Sequence, residues 1–300
     1  MLSTNTVTLE PLEQTTNRKE GTLTVAVTKR LLRNRSGLTG IVIVAVMILI
    51  SVIAPLIVPY DPLEISKGNQ FLPPSPEHLF GTDEFGRDIF SRTLFAGRIS
   101  LLAGAFAVVV AATIGVPLGL ISGYIGKLMD TVIMRSMDSL LAFPALLLAL
   151  AIVAILGPGS FNAMIAVAIV SIPSFARLAR ATMLTQKEMD YVEAAQCIGS
   201  SNSRIIFRTI LPNSMAPILV QITLAVAFAI LVEAALSFLG LGTQPPDASW
   251  GAMLFSGRGY LRRAWWYGFF PGLFITVLVL GLNLLADALR DALDPTSQNR

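Results

Sequence analysis

Oily and polar positions along this chain alternate over tens of residues, far longer than the two- or four-residue periods of a strand or a surface helix. After a polar start, apolar runs begin near Leu38, Ile99, Thr131, Asn162, Met215 and Tyr267. An α-helix needs about 20 such residues to cross a bilayer. The runs therefore predict an all-α integral membrane protein of about six transmembrane helices, with five full spans as the alternative. The third run carries Arg135 and Asp138 near its start, and the fourth ends in Pro173, Arg177 and Arg180. The implied order is a polar tail at 1–37, a first span at 38–58 and a connecting segment at 59–98. A five-span core at 99–290 follows, containing a polar loop at 186–213, and then a short tail at 291–300.

Composition supports lipid as the solvent. The 300 residues are 54% hydrophobic and 14% charged, against about 25% charged in soluble domains. The net charge of +3 is small. Basic residues lie beside apolar runs and form no single stripe, which argues against nucleic acid as a partner. The first oily run is too long and too late for a cleaved signal peptide. A lone cysteine, Cys197, excludes an internal disulfide and reads as a small filler. The lone His78 builds no metal site by itself and reads as a surface or loop histidine.

Lysine and arginine near span ends set the orientation. Lys29, Arg30, Arg33 and Arg35 precede the first span, and Arg177, Arg180, Lys187, Arg204 and Arg208 lie between the fourth and fifth. Both regions, and both termini, are expected in the cytoplasm. The opposite loop is acidic, with Asp61, Glu64, Glu77, Asp83, Glu84 and Asp88, although Arg258, Arg262 and Arg263 run against the rule. Trp250, Trp265 and Trp266 fall beside the outer ends of the last two spans, where headgroups favour indole rings. Gly115, Gly119 and Gly123 share one helical face and mark a close-packing seam, within the chain or against a second subunit.

The polar loop has internal order. Residues 190–198 suit a short helix, and Gly199 supplies the left-handed position that commonly ends one. Ser201 or Asn202 can cap a second short helix, and Pro212 limits its length. Ala194 and Ala195 let a partner approach the backbone closely, Glu193 offers a charge for register, and Arg204 and Arg208 lie one turn apart. Such a bent, small-faced element fits a groove on another protein, or is an ordinary loop with helical propensity.

A resemblance decides between these readings. Glu193-Ala194-Ala195, three residues, Gly199, eleven residues, then Leu211-Pro212 resembles the EAA loop of ABC importer permeases. FGTDEFGRDIFSR (Phe80 to Arg92), AFPALLLAL (Ala142 to Leu150), EAALSFLGLGTQPPDASWGAML (Glu233 to Leu254) and DALRDALDP (Asp287 to Pro295) are similar to the C-type permease of dipeptide, oligopeptide and nickel importers. The similarity spans about residues 31–295. It implies the type I importer permease fold in a bacterial cytoplasmic membrane. It also implies that Glu193, Ala194, Ala195, Gly199, Leu211 and Pro212 couple the chain to its motor. The implied partners are a second, B-type permease, two ATPase subunits, an extracytoplasmic substrate-binding protein and membrane lipid. ATP and magnesium would sit on the ATPases. The cargo would be a di- or oligopeptide, with nickel, glutathione or an oligosaccharide as alternatives.

No catalytic constellation, metal site or cofactor site is expected on this chain. Gly126-Lys127 is followed by Leu128 and lacks the glycine spacing of a phosphate-binding loop. Glu233, near the outer end of the fifth span, reads as a pathway acid or as a helix-end acid bonding a neighbour. Asp83, Arg87 and Asp88 read as a salt-bridged turn or as a contact for the binding protein. Pro117 and Pro144 are expected to bend helices or mark breaks along the pathway. A self-sufficient channel or secondary transporter would leave the EAA-type loop without a purpose. A membrane enzyme would need a polar cluster at one depth.

Overall fold

A computed structural model describes residues 30, 31 and 33–293. Nearly all of the expected N-terminal tail and most of the C-terminal tail lie outside the described residues. Among the described residues, nine helices of eight or more residues carry the architecture: α1 (Arg35–Ile57), α2 (Ile89–Ile125), α3 (Lys127–Leu141), α4 (Ala145–Leu156), α5 (Ser160–Gln186), α6 (Asp190–Cys197), α7 (Met215–Phe238), α8 (Trp250–Gly257) and α9 (Trp266–Leu293). Five of them, α1, α2, α5, α7 and α9, are long and apolar enough to cross a membrane.

The expected third span is not straight. Helices α3 and α4 meet at 91° across a short break. Two features of the sequence cause this. Pro144 begins α4 and biases the residue before it away from helix. Lys127, Asp130, Arg135 and Asp138 make α3 amphipathic, so one of its faces needs a polar surrounding. Helix α4 has 12 residues and so reaches only about 18 Å, short of the roughly 30 Å hydrocarbon layer.

Helix α2 begins at Ile89 rather than near Ile99. Asp88 caps it by accepting from the Ser91 amide at 2.7 Å, and the buried Arg92 in its first turn has polar partners. The helix can therefore start well before its apolar run. Its 37 residues span about 55 Å, longer than the bilayer core is thick.

The longest seam joins α2 to α5. A Cβ added at Gly119 would lie 2.1 Å from the Ala176 carbonyl oxygen, and one at Gly115 2.7 Å from that of Ile172. The Gly123 position is closed by Met183. The glycine stripe thus faces a helix of the same chain. Helix α1 packs on α9 by the same device, with Gly40 against Leu285 and Gly281 against Ile43. Without water to expel, such close approach holds helices together in lipid by dispersion.

The bundle has two unlike ends. Residues 59–88, the loop 239–249 and α8 gather at the end where α2 and α9 begin; we call this the cap end. The other end holds residues 190–213, the start of α1 and the end of α9.

Candidate functional site

The segment 190–213 forms a bent helical elbow. Helix α6 ends in a complete Schellman motif. The Ser200 amide donates to Ala195 O at 3.1 Å and the Gly199 amide to Gln196 O at 2.9 Å. Gly199 has φ +76°, open to glycine at little cost. Ser201 then starts a second helical stretch made of Asn202–Arg204, a π-helical turn at Ile205–Ile210 and Leu211–Asn213. Pro212 does not stop this helix. The wider π turn lies just ahead of it, and Leu211 N bonds Ile206 O, five residues back. The missing proline N–H and the bulk of its ring are accommodated there.

One side of the elbow is anchored and the other is free. Val192, Ile205, Ile206 and Ile210 are buried in the same apolar cluster as Phe175 and Met183 of α5. Half-buried Leu211 and Ala195 pack at its edge. The Tyr124 hydroxyl at the end of α2 donates to Asn202 Oδ1 at 3.1 Å. Nearby, Arg180 of α5 donates to both carboxylate oxygens of Asp130 on α3 at 2.6 and 2.7 Å, and Ser122 of α2 also bonds Asp130.

Glu193, Ala194, Gly199, Arg204, Arg208 and Pro212 lie on the exposed side. Ile198 joins them at 82% exposed. Cys197 is exposed as well, so the filler reading fails. The elbow therefore presents small residues, exposed apolar side chains led by Ile198, and separated charges on a buried apolar base. The anchoring isoleucines and Val192 were missed from sequence, although their spacing against the exposed arginines carries the signal.

At the cap end the charged residues turn inward. Asp83 is fully buried. It accepts from the amides of Phe85 and Arg87 at 2.9 Å each and from Arg87 Nε at 2.6 Å. His78 is buried too, 2.9 Å from Asp88, so it is not the surface histidine expected. The cluster of Asp83, Arg87 and Asp88 is a structural turn.

Two of the three tryptophans also differ from expectation. Trp250 and Trp266 are buried, donating to Thr93 O at 2.9 Å and Thr82 O at 3.3 Å, and only Trp265 is exposed. Their neighbours are polar backbone groups of the cap, which offer the indole N–H a partner that lipid lacks. Two of the arginines that run against the charge rule rest on aromatic faces: Arg258 lies 4.2 Å from the Phe255 ring and Arg263 4.5 Å from that of Phe71.

Glu233 is buried, and Ser237 donates to its Oε1 at 2.7 Å. Ser237 in turn accepts from the Thr243 amide and from Ser249, which caps α8. The acid thus faces the loop that returns over α7. Pro144 marks the α3–α4 break.

The fold defines a multi-pass membrane protein with an exposed helical elbow at one end. Residues 115–298 match the model of the binding-protein-dependent transport system inner membrane component, and residues 22–74 match the N-terminal transmembrane domain of oligopeptide transport permease C. The dipeptide transport system permease protein DppC of Alkalihalophilus pseudofirmus is 49% identical over 89% of this chain and 88% of its own. The glutathione transport system permease protein GsiD of Pectobacterium atrosepticum is 45% identical over 89% of each. Among solved structures, the methionine ABC transporter MetNI in inward-facing conformations matches with TM-score 0.53 and 16% identity, covering 65% of this chain and 93% of that one. The chain belongs to the family of inner-membrane permease components of binding-protein-dependent ABC importers.

Proposed function

We propose that the chain forms half of the translocation pathway for short peptides and takes its drive through the elbow. The observation that carries this is the elbow's two-sidedness. Its underside is buried in the apolar cluster that α2 and α5 share, while Glu193, Ala194 and Gly199 face outward. A push on that face reaches the α2–α5 pair, which the glycine seam holds together.

The groove that receives the elbow belongs to an ATPase partner. Two such subunits, with ATP and magnesium, a second B-type permease and an extracytoplasmic binding protein complete the machine. This chain holds no nucleotide. The elbow end faces the cytoplasm with both termini, and the cap end faces the binding protein. ATP shifts the pathway only through tighter binding to one conformation, and the elbow transmits that difference. Peptide is the cargo favoured by the names of the relatives. Glutathione, itself a small peptide, is the second reading that the 45% identical relative supports.

Glu193→Lys combined with Gly199→Val should abolish peptide uptake while the chain stays in the membrane. The purified complex should keep its subunits, and ATP turnover should no longer respond to binding protein and peptide. The isolated chain should show no ATP hydrolysis. Normal uptake by the stably inserted double variant would remove the coupling role, and turnover by the isolated chain would remove the division of labour.

A further inference from the structure

A cavity of about 410 Å³ opens at the cap end, between the turn at residues 84–92, the loop 237–247 and α8. That volume lies in the range of small-molecule sites. Four of its lining residues are charged, and they balance: Arg87 and Arg92 against Glu84 and Asp247. Phe255 and Ala252 add an apolar wall.

Two of these charges are underused. Arg92 is 5% exposed. Its Nη1 donates to Pro62 O at 2.8 Å, but its Nε has no hydrogen-bond partner and lies 3.6 Å from Asp83 Oδ2. Asp83 is already taken by three other donors. Glu84 Oε2 is buried and also lacks a partner, while its Oε1 stands 3.8 Å from Arg87. Buried charged groups are ordinarily bonded. Here a guanidinium and a carboxylate whose residues line one cavity each keep a buried atom without a partner.

The geometry points to a binding site for a small zwitterion: a carboxylate at Arg92 and Arg87, a primary ammonium at Glu84, and an apolar side chain against Phe255. The ends of a short peptide carry this chemistry, and so does the phosphoethanolamine headgroup of a lipid. The balanced wall disfavours ligands with only one charge. The peptide assignment rests on the importer reading above. It gives the permease its own contact with cargo on the side where a binding protein would release it.

The test uses the complex purified through this chain, in phosphatidylcholine nanodiscs and without binding protein, with radiolabelled alanyl-alanine as the probe. Saturable binding is expected. N-acetylation of the peptide should weaken it about tenfold, as loss of one charge-assisted bond does. Glu84→Gln should weaken alanyl-alanine by a similar factor and leave the acetylated peptide unchanged. Ala252→Leu, which narrows the cavity without touching a charge, should weaken both peptides. No saturable binding, or equal binding of free and acetylated peptide, overturns the site. Competition by glycerophosphoethanolamine as strong as by unlabelled peptide overturns the cargo assignment in favour of lipid. Uptake of alanyl-alanine with binding protein present is measured in parallel. Absent cavity binding with intact uptake removes this site and leaves the importer reading standing.

Discussion

At the elbow end Val192, Ile205, Ile206 and Ile210 point inward and the charges of Glu193, Arg204 and Arg208 point out. At the cap end the arrangement is reversed. Asp83, Asp88, Arg92 and His78 are buried, while Leu79 and Phe85 are among the exposed residues. The elbow is held by apolar contact on one side, which leaves its other side exposed. The cap is held by directional bonds to charged groups, each of which fails once its geometry shifts. The transmitting role proposed for the elbow and the fixed shape of the cap call for these opposite solutions.

The sharpest way to break the comparison is Asp83→Ala. It removes the acceptor of two amides and of Arg87, and leaves two guanidinium groups in the buried cap without their carboxylate. Removing one partner of a buried pair costs about 3–5 kcal/mol. The melting midpoint and membrane yield of the complex should both fall. An unchanged midpoint would mean that water, not Asp83, organises the cap.

Gly199→Val alone probes the other end and should cost less. No atom lies within 4 Å of a Cβ added there, so sterics are not the issue. The cost is the left-handed φ of +76°, about 1–2 kcal/mol and more for a β-branched residue. That energy is local to the bend, so the midpoint should move little while ATP-driven uptake falls strongly. A large loss of stability with normal uptake in the surviving protein would show that the elbow is structural and not a transmitter.

These two ends were unequally legible in the sequence. The elbow could be read because its punctuation is local: Gly199 ends one helix, Ser201 starts the next, and the charges there stay exposed. The π turn before Pro212 was hidden, since nothing in six consecutive residues distinguishes it from α-helix. The cap was legible only as an acidic segment. Whether Asp83 and His78 are buried depends on Thr82, Asp88 and Trp266 closing over them, contacts separated by up to 184 positions. The five long spans follow from apolar length alone. The break at Pro144 was marked by its proline and by the charges of α3, yet neither fixes its angle of 91°.

The smallest expected effect lies toward the elbow end, where α3 is tied to α5 twice. Asp138 and Arg177 form one ion pair, with side chains 46% and 54% exposed; Asp130 and Arg180 form the other, at 21% and 34%. Exposed pairs contribute about 0–1 kcal/mol. Asp138→Asn should therefore leave the melting midpoint and uptake nearly unchanged. Asp130→Asn should cost more, because it weakens a two-pronged bond and also disturbs Ser122 of α2. A double-mutant cycle on each pair compares them directly. If the Asp138–Arg177 coupling proves the larger, α3 is gripped from its water-exposed side. Solvent exposure would then not decide how strongly an ion pair of this bundle holds, and the weight given to buried charges at the cap end would fail with it.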